Sequence, residues 1–385
     1  MDNRVKWRIS ACLAAIAVAT ALPALCAESP AAPAGPYTSA RECSKCHQAI
    51  HGYWSESEHA RAATKASFLA SLRQAVDRRT DPDAVRRGCV SCHAPTALAS
   101  GDYALEQPTT REGVSCDFCH TVADVDLQKH DHPFVLAPGP VKRGPLEYAK
   151  SPFHETAYSV LHKSSPLLCA ACHEHTNAHG VPVLSTYREW KAGPYPERGM
   201  SCQECHMPLV PGDTVREGLD ATQRRINLHR TTGGSVASRL AGGLELRIDS
   251  LDIRGSVAEV VVAVVNSGVG HAAPGGLSSK SLVLAAGVDT GSAELKPRLE
   301  RTYRRVLRDA QGRELTTVAA LFLDAASIGE DTRLQPRQTR SEHFSLPLPA
   351  NWRAIVARLD YRDASDPQAP PRTTQVAEVR RERGR

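Results

Sequence analysis

Apolar and polar positions divide the 385-residue chain into three stretches of different character. Residues 9–25 are small and aliphatic and follow Arg4, Lys6 and Arg8. The positive start, the apolar run and Leu25-Cys26-Ala27 before Glu28 predict a secretory signal peptide over 1–27. The run falls short of the roughly 20 residues that span a bilayer, so a retained anchor is the weaker reading. Leu25 also fits poorly before a lipid-modified Cys26, and no later segment is apolar enough to span. Residues 28–37, rich in Pro and Ala, predict a mobile lead-in.

Between 38 and 235 the apolar pattern is broken into short pieces. Residues 56–76 are rich in Ala, Leu, Arg and Lys and predict a helix, whereas 100–112 and 131–153 predict loops. From 243 the period changes to 2. Residues 244–253 alternate apolar and polar side chains, and 257–265 form a β-branched run. Further strands are predicted over 282–288, 303–307, 315–323, 340–346 and 354–361, separated by turn-forming Gly, Pro, Asn and Asp. About seven short strands at this spacing predict an antiparallel β-sandwich. The expected fold class is α+β: a mainly helical, loop-rich domain over 38–235, a β-sandwich-like domain over 240–365, and a disordered tail over 366–385.

Composition adds one fact to this picture. Aromatic residues are only 5% of the chain, so a bound cofactor could supply volume that large side chains usually fill. The net charge of +5 is mild and mixed along the chain, which gives no argument for nucleic acid.

The cysteines change the picture most. Five copies of Cys-x-x-Cys-His occur: Cys43/Cys46/His47, Cys89/Cys92/His93, Cys116/Cys119/His120, Cys169/Cys172/His173 and Cys202/Cys205/His206. Only Cys12 and Cys26 lie elsewhere, both in the predicted signal. Two thiols three positions apart can form thioethers to the two vinyl groups of one haem, and the next histidine then faces the iron. Zinc sites and disulfides also use paired cysteines, but neither needs a histidine directly after the second. The pattern therefore predicts five covalently attached c-type haems, with His47, His93, His120, His173 and His206 as proximal ligands.

Each iron has a sixth position. After processing only Met200 and Met207 could offer a thioether, whereas eleven histidines lie outside the motifs. Mostly bis-His ligation follows, which favours lower potentials than Met/His ligation. His59, His154, His229, His271, His162 and His179 are the distal candidates; His162 and His179 stand with His51, His132 and His175 behind the first four, and His130 and His343 are expected in solvent. In a helix, the twelve residues from His47 to His59 would span about 18 Å. On one rigid helix those two rings could not clamp one iron, so they are expected to serve different irons.

The residues CSKCHQAIHGYWSESEHA, GVSCDFCHTV and CAACHEHTNAHGVPVLSTYREWKAGPYPERGMSCQECHM resemble multihaem cytochromes of the c-552/c-554 type, related in haem arrangement to hydroxylamine oxidoreductase. The resemblance covers about 38–230, and GVGHAAPGG with its following strands looks like a β-domain often appended to such proteins. It implies closely packed haems in stacked and perpendicular pairs, electron transfer, and distal ligands at the positions matching His59, His154 and His229. The chain departs from the simplest members in having five motifs rather than four. An exported electron carrier is expected, more an electron-transfer protein than a catalyst. Its partners would be quinol-oxidising or periplasmic cytochromes and a terminal reductase or oxidase. The alternative is a reductase or oxidase of a small nitrogen or sulfur compound at one haem with an open sixth position. No C-x-x-C-K variant supports that alternative.

Overall fold

Two antiparallel sheets packed face to face build the carboxy-terminal part of the computed structural model. The model describes residues 35–384 apart from 78, 130–131, 217–218, 220–223, 232, 234–235 and 367. The predicted signal with Cys12 and Cys26, most of the lead-in, and His130 lie outside the described residues.

One sheet orders the strands Thr339–Pro347, Val257–Asn266 and Leu244–Arg254. The other orders Arg298–Tyr303, Lys280–Asp289, Ala354–Asp363 and Arg372–Glu382. Alternation supplies the reason for this layering. Leu244, Leu246 and Ile248 point inward, as do Val260, Val262 and Phe344, and they meet Leu284, Ile355 and Leu359 of the facing sheet. Each of these residues removes its apolar surface from water at about 25 cal/mol per Å². Ile355 is fully buried between the sheets. Truncating it to alanine is expected to cost about 2–5 kcal/mol, read by chemical denaturation.

Five sequence expectations differ from the structure. Residues 366–385 were expected to be disordered, yet Arg372–Glu382 is a strand paired with Ala354–Asp363 along its length. Its alternation is masked by charged residues, but Val376 is buried and Val379 packs on the core. The strand also pairs what would otherwise be an open sheet edge. The expected 315–323 strand is instead a helix, Val318–Leu323, started by the Thr317 side chain accepting from the Ala320 amide. The 303–307 strand is divided at Arg304 between two sheets. The expected 56–76 helix is helical only over Ala66–Val76. Residues 56–65 make turns, held by the Ser57 hydroxyl accepting from the Ala60 amide and by the Val114 amide donating to the His59 carbonyl. The lead-in also ends early, because Tyr37 is buried against Phe118 in a core with Val122, Phe134 and Leu161.

Short helices dominate the amino-terminal part, and each motif sits on or beside one. Ala40–Ser44 carries Cys43, Pro82–His93 the second motif, Cys116–Thr121 the third, Leu167–His173 the fourth and Cys202–His206 the fifth. Residues three apart share a helix face, so within the last four each pair of thiols points the same way. Several starts are capped. Asp81 accepts from the Ala84 amide, Ser115 from the Phe118 amide, and Ser201 with Glu204 forms a reciprocal capping box.

The two parts share a seam. Val181 and Val183 pack on Leu307, Leu321 and Ala325, and the Asn177 amide donates to the Ala325 carbonyl at 2.8 Å. Buried Arg305 donates to the Ser185 hydroxyl and the Val183 carbonyl. Residues 35–384 accordingly belong to one compact unit.

Candidate functional site

The motif histidines gather with histidines from remote parts of the chain. His47 lies 6.2 Å from His154 between ring centroids, His59 lies 6.3 Å from His173, and His120 lies 6.3 Å from His229. A metal–imidazole nitrogen bond is about 2 Å, and the ring centroid sits roughly 1 Å behind that nitrogen, so two imidazoles on opposite faces of one metal place their centroids about 6 Å apart. All three pairs match this spacing. His47 and His59 belong to different pairs.

Hydrogen bonding sorts the rings further. The Nδ1–H of His47 donates to the Thr214 carbonyl at 2.7 Å, that of His93 to Ala62 at 3.1 Å and that of His120 to Arg143 at 2.5 Å. His154, His229 and His271 do the same to Glu155 at 3.0 Å, Asn227 at 2.6 Å and Ala272 at 2.9 Å. In His59 the Nδ1 partner is the Thr231 hydroxyl at 3.0 Å. A ring fixed through Nδ1 presents Nε2, the arrangement in which a metal-bound histidine is oriented by the groups behind it.

His162, expected among the distal candidates, is different. Its Nδ1 meets the Ser159 hydroxyl at 2.8 Å and its Nε2 donates to the Cys119 carbonyl at 2.7 Å. It stacks beside His120 with both nitrogens engaged, so it offers no lone pair. His179 lies apart from the motifs, lining an open surface cleft with Asp309, Glu314 and Asp324. His343 is exposed, and His175 packs on Phe322.

Burial lowers the titration range of several of these rings. It holds His59, His93, His120 and His271 below the ordinary imidazole range. Burial pushes His229 down to about 4 and His173 down to about 3, with neighbouring His59 and His206 adding to the shift at His173. Neutral imidazole is the form that ligates a metal. Burial also raises the Cys119 thiol to about 12 and the Cys89 thiol to about 11.

The sulfur atoms show which motifs are neighbours. The Cys116 thiol donates to Cys43, Cys172 to Cys92, and Cys169 to Cys202, and no disulfide forms among the ten. The charge of Cys119 is felt at Cys169 and Cys172, that of His47 at His120, and that of His206 at His173. The spatial order is therefore first, third, fourth, with the second and fifth both beside the fourth. The fourth motif is the junction.

The surroundings hold donors that suit acid-bearing groups. Buried polar atoms without a partner include Tyr37 Oη, Arg143 Nη1, Tyr195 Oη and Arg333 Nη1. Burying such donors unpaired is costly, and carboxylates of a bound group would satisfy them. Arg143 is adjacent to the site, since its own carbonyl orients His120. No group of three or more His, Cys, Asp or Glu side chains among the described residues forms a bare-metal site.

His93 stands apart from the other rings. Among the described residues its ring partner is Phe68, stacked at 3.9 Å and 9° inside an apolar cluster with Leu72, Val90 and Ala97. Among the described residues no second histidine ring is in contact with it.

Comparison with known proteins agrees with this geometry. Residues 42–121, which hold the first three motifs, match the family described as cytochrome c554 and c-prime. No curated protein matches the chain. Among solved structures, a pentahaem cytochrome c552 from Thermochromatium tepidum matches with a TM-score of 0.74 at 20% identity, over 90% of this chain and 99% of that one. At this identity the likeness is one of fold. A β-glucosidase 3B from Thermotoga neapolitana matches 36% of this chain and 17% of its own at 13% identity and a TM-score of 0.15, too slight to carry an argument. No described helix is long and apolar enough to cross a membrane.

Proposed function

We propose that this chain, a multihaem c-type cytochrome, carries five covalent haems and moves electrons among them between external redox partners. The observation that carries the reading is the set of three histidine pairs at 6.2–6.3 Å, each joining a motif histidine to a ring from elsewhere in the chain. Ten cysteines would attach the haems: Cys43, Cys46, Cys89, Cys92, Cys116, Cys119, Cys169, Cys172, Cys202 and Cys205. The axial pairs would be His47 with His154, His120 with His229, and His173 with His59. His206 takes His271, the remaining candidate whose charge, like that of His206, reaches His173.

The haems supply the electron-accepting iron. The protein supplies ligation, orientation and local charge. Backbone carbonyls hold six of the rings through Nδ1, and the Thr231 hydroxyl holds His59. The contacts between sulfur atoms imply a path from the first haem through the third to the fourth, which then branches to the second and the fifth. Export with removal of 1–27, a haem-bearing part over 38–235 and a β-part over 240–365 complete the reading. The partners fit quinol-oxidising or periplasmic cytochromes on one side and a terminal reductase or oxidase on the other.

Mass spectrometry of the mature protein is expected to show five covalent haems and loss of the signal segment. Fewer than five would overturn the reading.

A second reading is favoured by one observation, the absence of a histidine facing His93 among the described residues. It makes the second haem the site where a small nitrogen or sulfur compound could bind. The apolar packing of Phe68, Leu72 and Val90 offers little acid–base chemistry there, and Lys65 is the charged group whose field reaches His93. The ferric protein is expected to show one haem unlike four low-spin partners. Nitrite or cyanide binding with turnover would favour this reading, and five inert low-spin haems would remove it.

A further inference from the structure

We propose that Glu189 and Arg333 are positioning residues that set the ring of His271 against the haem cluster. The carboxy-terminal part is then a component of the ligation machinery rather than a cap. The proposal rests on reading His271 as an axial ligand.

Glu189 lies on the Thr186–Lys191 helix, between the fourth and fifth motifs. Its Oε1 accepts from the Ser185 hydroxyl at 2.6 Å and from Arg333 Nη2 at 2.7 Å. Its Oε2 accepts from the Ala272 amide, the residue after His271, at 3.2 Å. Arg333 in turn is clamped by Asp331, with Nε and Nη2 donating at 2.9 and 2.7 Å. Both members of the Glu189–Arg333 pair are buried, with side chains 10% and 5% exposed. A buried ion pair is weak evidence of stabilisation, but removing one partner strands the other charge.

The same contacts fix the loop from both sides. Leu334, next to Arg333, exchanges two backbone hydrogen bonds with Ala273, at 2.8 and 3.0 Å. The Asn266 amide donates to the carbonyls of His271 and Leu334 at 3.1 and 3.2 Å. The His271 ring closes on its own loop through Nδ1 and the Ala272 carbonyl. A Cβ on Gly275 would stand 2.5 Å from its Cε1, so the ring fits only because that position is glycine. These ties fix the backbone on either side of His271, and the ring, held through Nδ1, presents Nε2.

Arg305 separates positioning from general support. It is buried at the same seam and bonds Val183, Ser278 and Ser185; through the Ser185 hydroxyl it touches Glu189 only at one remove, and none of its own hydrogen bonds reaches the 271–275 loop. The test compares His271→Ala, Glu189→Ala, Arg333→Met and Arg305→Met in the haem-loaded full chain. Spin state is read by paramagnetic resonance, cyanide binding by titration, and stability by thermal melting. His271→Ala is expected to turn one low-spin haem high-spin. Glu189→Ala and Arg333→Met should turn a fraction of that same haem. Its cyanide affinity should rise in proportion to the unligated fraction, about tenfold if that fraction rises tenfold. Arg305→Met should lower the melting temperature and change the spin states less than Arg333→Met does. If Glu189→Ala does not accumulate, Glu189→Gln, whose one carbonyl oxygen can serve Ala272 or Arg333 but not both, should give the same change at smaller amplitude. Low-spin haems throughout in the Glu189 and Arg333 variants, with His271→Ala converted, would overturn the proposal. So would an equal spin change in Arg305→Met. An unchanged His271→Ala spectrum would instead remove the ligand reading on which the proposal rests.

Discussion

A chain in which Cys169 and Cys172 are both serine is expected to carry four covalent haems rather than five and to lose electron passage between its ends. The fourth motif is the junction of the cluster. Cys169 meets Cys202 of the fifth motif, Cys172 meets Cys92 of the second, and both feel the charge of Cys119 in the third. The first motif reaches the rest through the third, by way of the Cys43–Cys116 contact. Removing the fourth haem therefore separates first and third from second and fifth. The control is a chain with Cys89 and Cys92 both serine. It also loses one haem, but the second motif lies on a branch, so passage from the first to the fifth haem should survive. Rapid-mixing reduction with resolved haem spectra reads the difference. Interruption should appear as two reduction phases at least about tenfold apart, corresponding to roughly 1.4 kcal/mol of barrier. Equal slowing in the two variants would sink the branched order.

Gly113→Val is expected to destabilise the protein by about 2–5 kcal/mol and to release the ring of His59. Gly113 has φ +70°, a left-handed conformation that a β-branched residue adopts poorly. A Cβ there would stand 2.4 Å from the His59 carbonyl and 3.1 Å from the Ala62 amide, both backbone atoms that cannot swing aside. The next residue completes the contact. The Val114 amide donates to the same His59 carbonyl at 3.0 Å, and the Val114 carbonyl accepts from Trp54 Nε1 at 2.9 Å. The turn bearing His59 thus rests on the loop entering the third motif. Denaturant unfolding reads the stability loss, and a high-spin signal from one haem reads the displaced ring. A variant as stable as the parent, with its haem spectra unchanged, would show that the loop relaxes around the added side chain.

Much of the site was legible because haem attachment is local chemistry. Two thiols and a histidine within five residues carry their meaning in their spacing, and Cys43 to His47 shows it as plainly as the other four copies. The strands over 244–253 and 340–346 were legible because a half-buried strand writes its burial into a period of 2, and those over 257–265, 282–288 and 354–361 because a short apolar run bounded by turns marks a strand buried on both faces. Errors fell where local pattern and burial part company. The 372–382 strand is mostly polar or charged because one face is in solvent, and only Val376, Ala377 and Val379 mark its inner side. The 315–323 segment is apolar as a strand would be, but Thr317 caps it and turns it into a helix against Val181 and Val183.

The distal ligands mark the boundary between the two kinds of information. The sequence by itself determined that there are five Cys-x-x-Cys-His motifs, that methionine is too scarce for most sixth positions, and that histidines are in surplus. The family resemblance set His229 ahead of His162, whereas the residues around each did not separate them. Tertiary structure separates the two rings by distance and by hydrogen bonding. His229 comes to 6.3 Å from His120 with Nδ1 tied to a carbonyl, whereas His162 spends both nitrogens on Ser159 and Cys119. It also decided that motif order along the chain is not motif order in space, so that the fourth motif lies between the third, the second and the fifth. The physical reason is one of range. A covalent attachment is specified within a helical turn, whereas a sixth ligand and a neighbouring haem are specified by where the chain returns after tens of residues. That return is set by packing.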